Sequence, residues 1–138
     1  YLAARNEHID GKIKPDLKKR KIVICDRFID STFAYQVYGK GVSKNLVDYV
    51  HKFVLKNIKP NLTFLLTVNI SKAMNRINKR KSKNRYDKFS KKFYSKVQKS
   101  FIKIAKLNKQ RTVIYDNTKD TKDISEKIFN KFIKIYNK

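Results

Sequence analysis

Apolar side chains fall along this chain in two rhythms, short continuous runs and longer stripes at helical spacing. Segments 21–25 (KIVIC), 62–68 (LTFLLTV) and 112–115 (TVIY) read as buried strands. The first two are near-continuous and rich in β-branched residues, as in parallel strands covered on both faces. Helical patterns lie between them. Positions 2–17 carry few apolar residues and are interrupted by Gly11 and Pro15, which predicts a helix followed by a turn. Positions 42–58 place Leu46, Val47, Val50, Phe53 and Val54 on one face, and Asn57 to Pro60 ends that helix. Over 89–107 the residues Phe89, Phe93, Val97, Phe101, Ile104 and Ala105 form one stripe. A last helix over about 123–136 turns Ile124, Ile128, Phe132 and Ile135 inward. Strands alternating with helices predict an α/β fold with a parallel sheet, in one domain. The charge-dense stretch 79–84 (KRKSKN) is the expected mobile loop.

Composition narrows this picture. A length of 138 residues suits one core, and 41% hydrophobic content is enough to pack it. No apolar run approaches the roughly 18 residues a transmembrane helix needs. The opening YLAARNEHID has no basic region followed by an apolar stretch, so it is not read as a signal peptide. It also lacks an initial Met, which suggests a processed product or a fragment. A lone Cys25 makes no internal disulfide and fits a reducing cytosol.

The net charge of +24 invites a nucleic-acid reading. That charge is 28 Lys against 7 Arg, scattered along the chain, whereas phosphate pairs and bases are read chiefly by Arg. Lys, Asn and Ile all have AT-rich codons, so coding bias is the expected source of the excess, a reading the coding DNA would test. The aromatics repeat at helical spacing and look like core. A basic nucleic-acid-binding module is therefore the alternative from a different class, and the solvated-lysine reading outweighs it.

Candidate chemistry begins where segment 21–25 ends. Ligands of open α/β sheets bind beyond the carboxyl ends of the strands, and here stand Asp26, Arg27 and Phe28. A carboxylate there can hold a metal or its water, and the Arg can grip an anion. An Asp–Arg ion pair tying down a loop is an equal alternative. Ser31, Thr32, Tyr35 and Gln36 follow within a few helical turns and can hydrogen-bond a base edge while Arg27 holds a phosphate. The plainer account makes Ser31 or Thr32 an N-cap and the aromatics packing.

The run 26–41, DRFIDSTFAYQVYGKG, resembles the DRY-x-D-S-[ST]-x-A-Y-Q-G-x-G-R-G segment of bacterial thymidylate kinases. YLAARNEHI resembles that family's F-A-A-x-R-x-x-H helix. PNLTFLLTVNISKAMNRI resembles its P-D-L-T strand and the helix leading to a lid. NRYDKFSKKFYSKVQKSF is similar to its D-R-x-E segment, and VIYDNT to its closing strand and adenine-side loop.

The resemblance implies a P-loop NTPase-like three-layer sandwich and an enzyme that phosphorylates thymidine monophosphate (dTMP) with ATP and Mg2+. It puts Arg27 on the acceptor phosphate and Asp26 near the magnesium shell through water. It sets Tyr1 and Arg5 against thymine, Thr32, Gln36 and Ser31 at the base edge, and Tyr35 at the sugar. Arg76, Arg80 and Arg85 fall in a lid region, about 76–88, where cations reach the transferring phosphoryl group. It also implies a cytoplasmic homodimer. Another nucleoside monophosphate or deoxynucleoside kinase is the runner-up within the class, which the DST-x-AYQ run disfavours.

Departures exist. Phe28 replaces the Tyr of DRY, Val37 the Gly after Gln, Lys40 the late Arg, Asp87 a Glu, and Phe89 a further acid. No G-x-x-x-x-G-K-[ST] phosphate loop occurs in these 138 residues, whose glycines are Gly11, Gly39 and Gly41. The expectation is an incomplete domain over 1–138, first strands and P-loop missing, inactive and poorly folded alone. A truncated gene or partial reading frame is the simplest source.

Overall fold

Residues 2–82, 87–119 and 121–137 are described by a computed structural model, in two units, Tyr1–Asn61 and Leu62–Lys138. The first unit opens with a helical path built from α1 (Leu2–His8), a π-helical turn (Ile9–Ile13) and α2 (Lys14–Lys18). The break expected at Gly11 and Pro15 does not occur. Pro lacks an N–H and clashes in a helix interior, but it is tolerated in a first turn. The backbone widens into the π turn just ahead, so that Pro15 falls in the first turn of α2.

Ile9 is fully buried and packs with Ile13 and with Val54 of α4 (Lys44–Leu55). Leu2, Val23, Phe28, Val50, Leu55 and Ile58 close around them. Ser43 starts α4, its hydroxyl accepting from the Leu46 amide at 3.4 Å. Lys56 and Asn57 end it in the left-handed region, at φ 46° and 69°. Asp10 on the π turn is bonded by both Lys56 and Lys14, fixing the end of α4 against that turn. The inward face of α4 is Val47, His51 and Val54, whereas Leu46 and Phe53, expected inward, are exposed beside Tyr49. The apolar stripe is wider than the face that α1 and the turn at Phe33–Gly39 cover.

Segment 21–25 forms no strand. Among the described residues none pairs with it, Ile24 is 92% exposed, and only Val23 reaches the core. A continuous apolar run announces two covered faces, but a strand exists only as part of a hydrogen-bonded ladder.

The second unit holds β1 (Thr63–Thr67), α5 (Ile70–Asn78), α6 (Lys91–Leu107), β2 (Thr112–Asp116) and α7 (Asp123–Tyr136). The strands pair in parallel, Thr63 opposite Thr112 through Thr67 opposite Asp116. Ser90 caps α6 through the Phe93 amide at 3.2 Å, and α6 packs on both strands and on α5. Its buried face is Val97, Ser100, Ile104 and Ala105, while Phe89 and Phe93 stack with centroids 4.3 Å apart. In α7 burial is confined to Ile124, and Ile135, expected inward, is exposed. The α/β class with parallel strands is as the sequence predicts.

Core and edge should respond oppositely to truncation. Ile9→Ala should cost about 2–5 kcal/mol. Ile24→Ala, at a solvated position, should change stability by less than about 0.5 kcal/mol. Urea unfolding of both variants checks this, and equal losses would mean that segment 21–25 is packed in solution.

Candidate functional site

Arg5 lies one helical turn before Ile9, so burial of Ile9 draws the Arg5 stem toward the core of the first unit. Its Nη1 donates to Thr32 Oγ1 at 2.6 Å, and its Nη2 to the Phe28 carbonyl at 3.2 Å. Nη1 also lies 3.4 Å from His51 Nε2, and the guanidinium carbon sits 5.4 Å from the Phe28 ring centroid. Burial lowers the pKa of this guanidinium, the Cys25 thiol opposing. A cation drawn out of water persists only where acceptors replace the water, and these groups supply them.

Thr32 is buried, and its hydroxyl receives Arg5 rather than capping a helix. Neither Ser31 nor Thr32 caps a helix through its side chain, although Thr32 immediately precedes the π-helical turn Phe33–Gly39. Helix α3 (Ile29–Thr32) contains both, with Phe28 in the capping position and no side-chain bond there. The Ser31 amide donates to the Phe28 carbonyl at 3.2 Å, so that oxygen serves both the turn and Arg5.

Arg27 occupies the left-handed region at φ 63°, a conformation that costs a non-glycine residue on the order of 1–3 kcal/mol. Asp26 and Arg27 are exposed, and the Arg27 guanidinium lies 5.4 Å from the Tyr35 ring centroid. The Cys25 thiol donates to the Arg27 carbonyl at 3.5 Å. Desolvation raises that thiol's pKa; Arg5 opposes this and Asp26 adds to it.

Tyr35 and Gln36 lie in a second π-helical turn, Phe33–Gly39. Its end is closed by the amides of Lys40, Gly41 and Val42, which donate to the carbonyls of Tyr35, Val37 and Gln36. Gly41 takes φ 78°, a left-handed value that glycine adopts without strain. Turns of this kind are rare and recur at functional sites.

In the second unit Arg76 stands in the last turn of α5. Arg80 pairs with Asp87 at 3.1 Å, and the Asp87 side chain is only 3% exposed. At the carboxyl ends of the strands, the Asn69 amide donates to Thr118 Oγ1 at 3.0 Å. Thr118 in turn bonds Asp116 through hydroxyl and amide, and these bonds hold the Asp116 carboxyl below its ordinary pKa. Tyr1, Arg85 and the end of the expected mobile loop lie outside the described residues.

Of the sequence-predicted residues, the first unit joins Arg5 to Thr32 and Arg27 to Tyr35. Ser31 and Gln36 share the same helical segment, and Asp26 adjoins Arg27. Sequence reasoning missed His51, which is 4% exposed and edge-on to Phe33 at 5.3 Å. The available signal was its place between Val47 and Val54 on the inward face of α4. Among the described residues no cluster of three or more His, Cys, Asp or Glu could hold a metal ion.

A family model described as thymidylate kinase matches residues 1–128. A thymidylate kinase of Ehrlichia ruminantium (strain Gardel) is 42% identical over 137 residues, spanning 98% of this chain and 65% of the relative. One from Mycoplasma capricolum is 40% identical, over 98% of this chain and 62% of its own. The crystal structure of thymidylate kinase from Ehrlichia chaffeensis superposes with a TM-score of 0.70 at 34% identity, covering the whole of this chain and 62% of that one. The chain thus spans less than two thirds of the length of these relatives.

Two outcomes follow for stability. Thr32→Val removes the acceptor for Arg5 Nη1 and should cost about 1–3 kcal/mol, whereas Thr32→Ser keeps the hydroxyl and should cost less than about 1 kcal/mol. His51 is shifted below its ordinary pKa of 6.5, first by burial and then by Arg5, with Asp48 opposing. The fold therefore favours neutral His51. That contribution is complete above pH 6.5 and is lost as pH falls through the lowered value. Urea titrations from pH 5 to 8 should show this loss in the parent and not in His51→Gln.

Proposed function

The chain belongs to the thymidylate kinase family, and from that premise we propose that the complete enzyme transfers the terminal phosphoryl group of ATP to dTMP. The observation that carries the reading is a pair of cations set against the DRFIDSTFAYQ segment, Arg5 of α1 bonded to Thr32 and Arg27 over Tyr35. Such a pair can serve two ends of one nucleotide.

Arg27 is the phosphate-binding group. Its left-handed backbone holds the guanidinium exposed beyond segment 21–25, and its planar fork suits a phosphate's paired oxygens. Arg5 has five N–H donors and spends part of them on Thr32 and Phe28, which leaves others for a carbonyl of the base. Thr32, Gln36 and Ser31 contribute to the same edge, Tyr1 stacks on the ring, and Tyr35 closes the sugar side. Arg76, Arg80 and Arg85 steady charge on the moving phosphoryl group, a process that depends mainly on positioning and electrostatics. For Arg80 this requires trading Asp87 for phosphate.

Asp26 fits the role implied for magnesium. It is one exposed carboxylate, and Mg2+ commonly keeps several waters and takes one or two carboxylates together with substrate phosphates. When bound, the ion would neutralise phosphate charge. The ATP phosphates need a backbone cradle that these 138 residues do not encode, so the chain alone is inactive in this reading. The exposed Leu46, Tyr49 and Phe53 face of α4 is a candidate surface for pairing two copies. No helix among the described residues is long and apolar enough to cross a membrane, and the lone Cys25 suits a cytosolic setting. Nucleic acid is not a proposed partner.

A coupled kinase assay on the chain joined to its upstream coding sequence tests the proposal. Phosphorylation should favour dTMP over uridylate and deoxycytidylate, and Arg27→Ala should lower kcat/KM by about 10²–10³-fold, as when a charge-stabilising donor is lost. Indifference to dTMP, with salt-sensitive binding to any polyanion, would favour the basic binding module instead.

A further inference from the structure

His51 belongs to no part of the pocket set out above, yet it touches the residue on which that pocket turns. Its Nε2 lies 3.4 Å from Arg5 Nη1, its ring meets Phe33 edge-on at 5.3 Å, and it is 4% exposed. Next to a permanent cation, only an unprotonated Nε2 can accept. The ring must then be neutral with its proton on Nδ1. A protonated ring would set two cations against each other with little water between them.

We propose that His51 is a positioning residue for the acceptor pocket: its neutral imidazole holds Arg5 against Thr32, and its protonation releases Arg5. The inference rests on the reading that Arg5 faces the acceptor base. Charged groups around the ring give the direction of its response. Arg5 on α1 faces it and disfavours the imidazolium, as burial does. Asp48, three residues earlier on α4, acts the other way. Lys44, also on α4, lies 5.8 Å from the centroid of the Phe33 ring on which His51 packs. Burial and Arg5 outweigh Asp48, so the ring is neutral at neutral pH and gains its proton only on acidification. Acceptor affinity, rather than the phosphoryl-transfer step, should fall with it.

The test is steady-state kinetics from pH 5.5 to 8 on the chain joined to its upstream coding sequence. Three variants are compared with the parent: His51→Gln, His51→Leu and Arg5→Ala. The Gln amide oxygen can stand where Nε2 stands and does not titrate. His51→Gln should keep the KM for dTMP within about threefold of the parent at pH 7.5, and its profile should lack the parent's rise at acid pH. Dividing the two profiles cancels the titration of the phosphate itself, which falls near pH 6. His51→Leu keeps bulk but loses the acceptor, and should raise KM by about tenfold or more, the scale of supporting-partner losses, with kcat within about threefold. A His51→Gln profile that tracks the parent, or an unchanged KM in His51→Leu while Arg5→Ala raises it, overturns the positioning role and leaves the pocket standing. If Arg5→Ala itself leaves KM unchanged, the pocket reading fails and this role falls with it. Should His51→Leu not fold, the comparison of His51→Gln with the parent still decides.

Discussion

A cation drawn out of water sets the terms for the first unit. Arg5 is half-buried because its neighbour one turn on, Ile9, is buried, and a guanidinium in that position needs acceptors around it. They come from a hydroxyl on α3, a carbonyl in the turn before it and a ring nitrogen on α4. One charge thereby ties together segments that are far apart in sequence. Its removal would take a donor from the buried Thr32 hydroxyl and the buried His51 nitrogen, which is costlier than the bonds are favourable. The apolar cluster of Ile9, Ile13 and Val54 gives α1 and α4 their mutual packing, and Arg5 converts that packing into a defined placement of the 26–32 turn.

Backbone strain gathers at the same turn. Arg27 is held left-handed without being glycine, and the following helix widens into a π turn across Phe33–Gly39. Neither is what an unconstrained chain would choose, and both present side chains at angles a regular helix would not give. Among the described residues, the other left-handed non-glycine residues, Arg20, Lys56 and Asn57, follow the ends of helices, where such a residue is an ordinary stop. Arg27 precedes a helix instead, which sets it apart.

Much of the fold was readable because burial leaves a periodic trace. The stripes of α4 and α6 and the runs of β1 and β2 marked their elements to within about three residues at each end. The trace records which side chains leave water and says nothing about hydrogen-bond partners. Segment 21–25 therefore read as a strand although no described strand pairs with it. Ser31 and Thr32 read as caps because small hydroxyl residues favour helix starts, but Arg5 competes for the Thr32 hydroxyl and the helix starts earlier. The π turns were not legible, since they depend on a one-residue shift of carbonyl partners. The contact of Arg5 with His51 was not legible either, because it joins positions 46 apart. The candidate cations and the DST segment were visible through the resemblance of their run to the family's motifs. What remained hidden was the way they lean on one another.

The π turn at Ile9–Ile13 has a meaning best put as phase. Each residue of an α-helix advances the side-chain direction by about 100°, and a π turn takes up one residue more than the regular ladder would. It acts as an angular spacer between the face that carries Arg5 and the helix that starts at Lys14. Gly11 sits in that spacer with open space where a side chain would go, so neither crowding nor a special φ explains a glycine there. What the spacer fixes is the number of residues. In this helix a deletion of one residue is a rotation, and the arginine would swing away from its threonine although no contacting side chain had been altered.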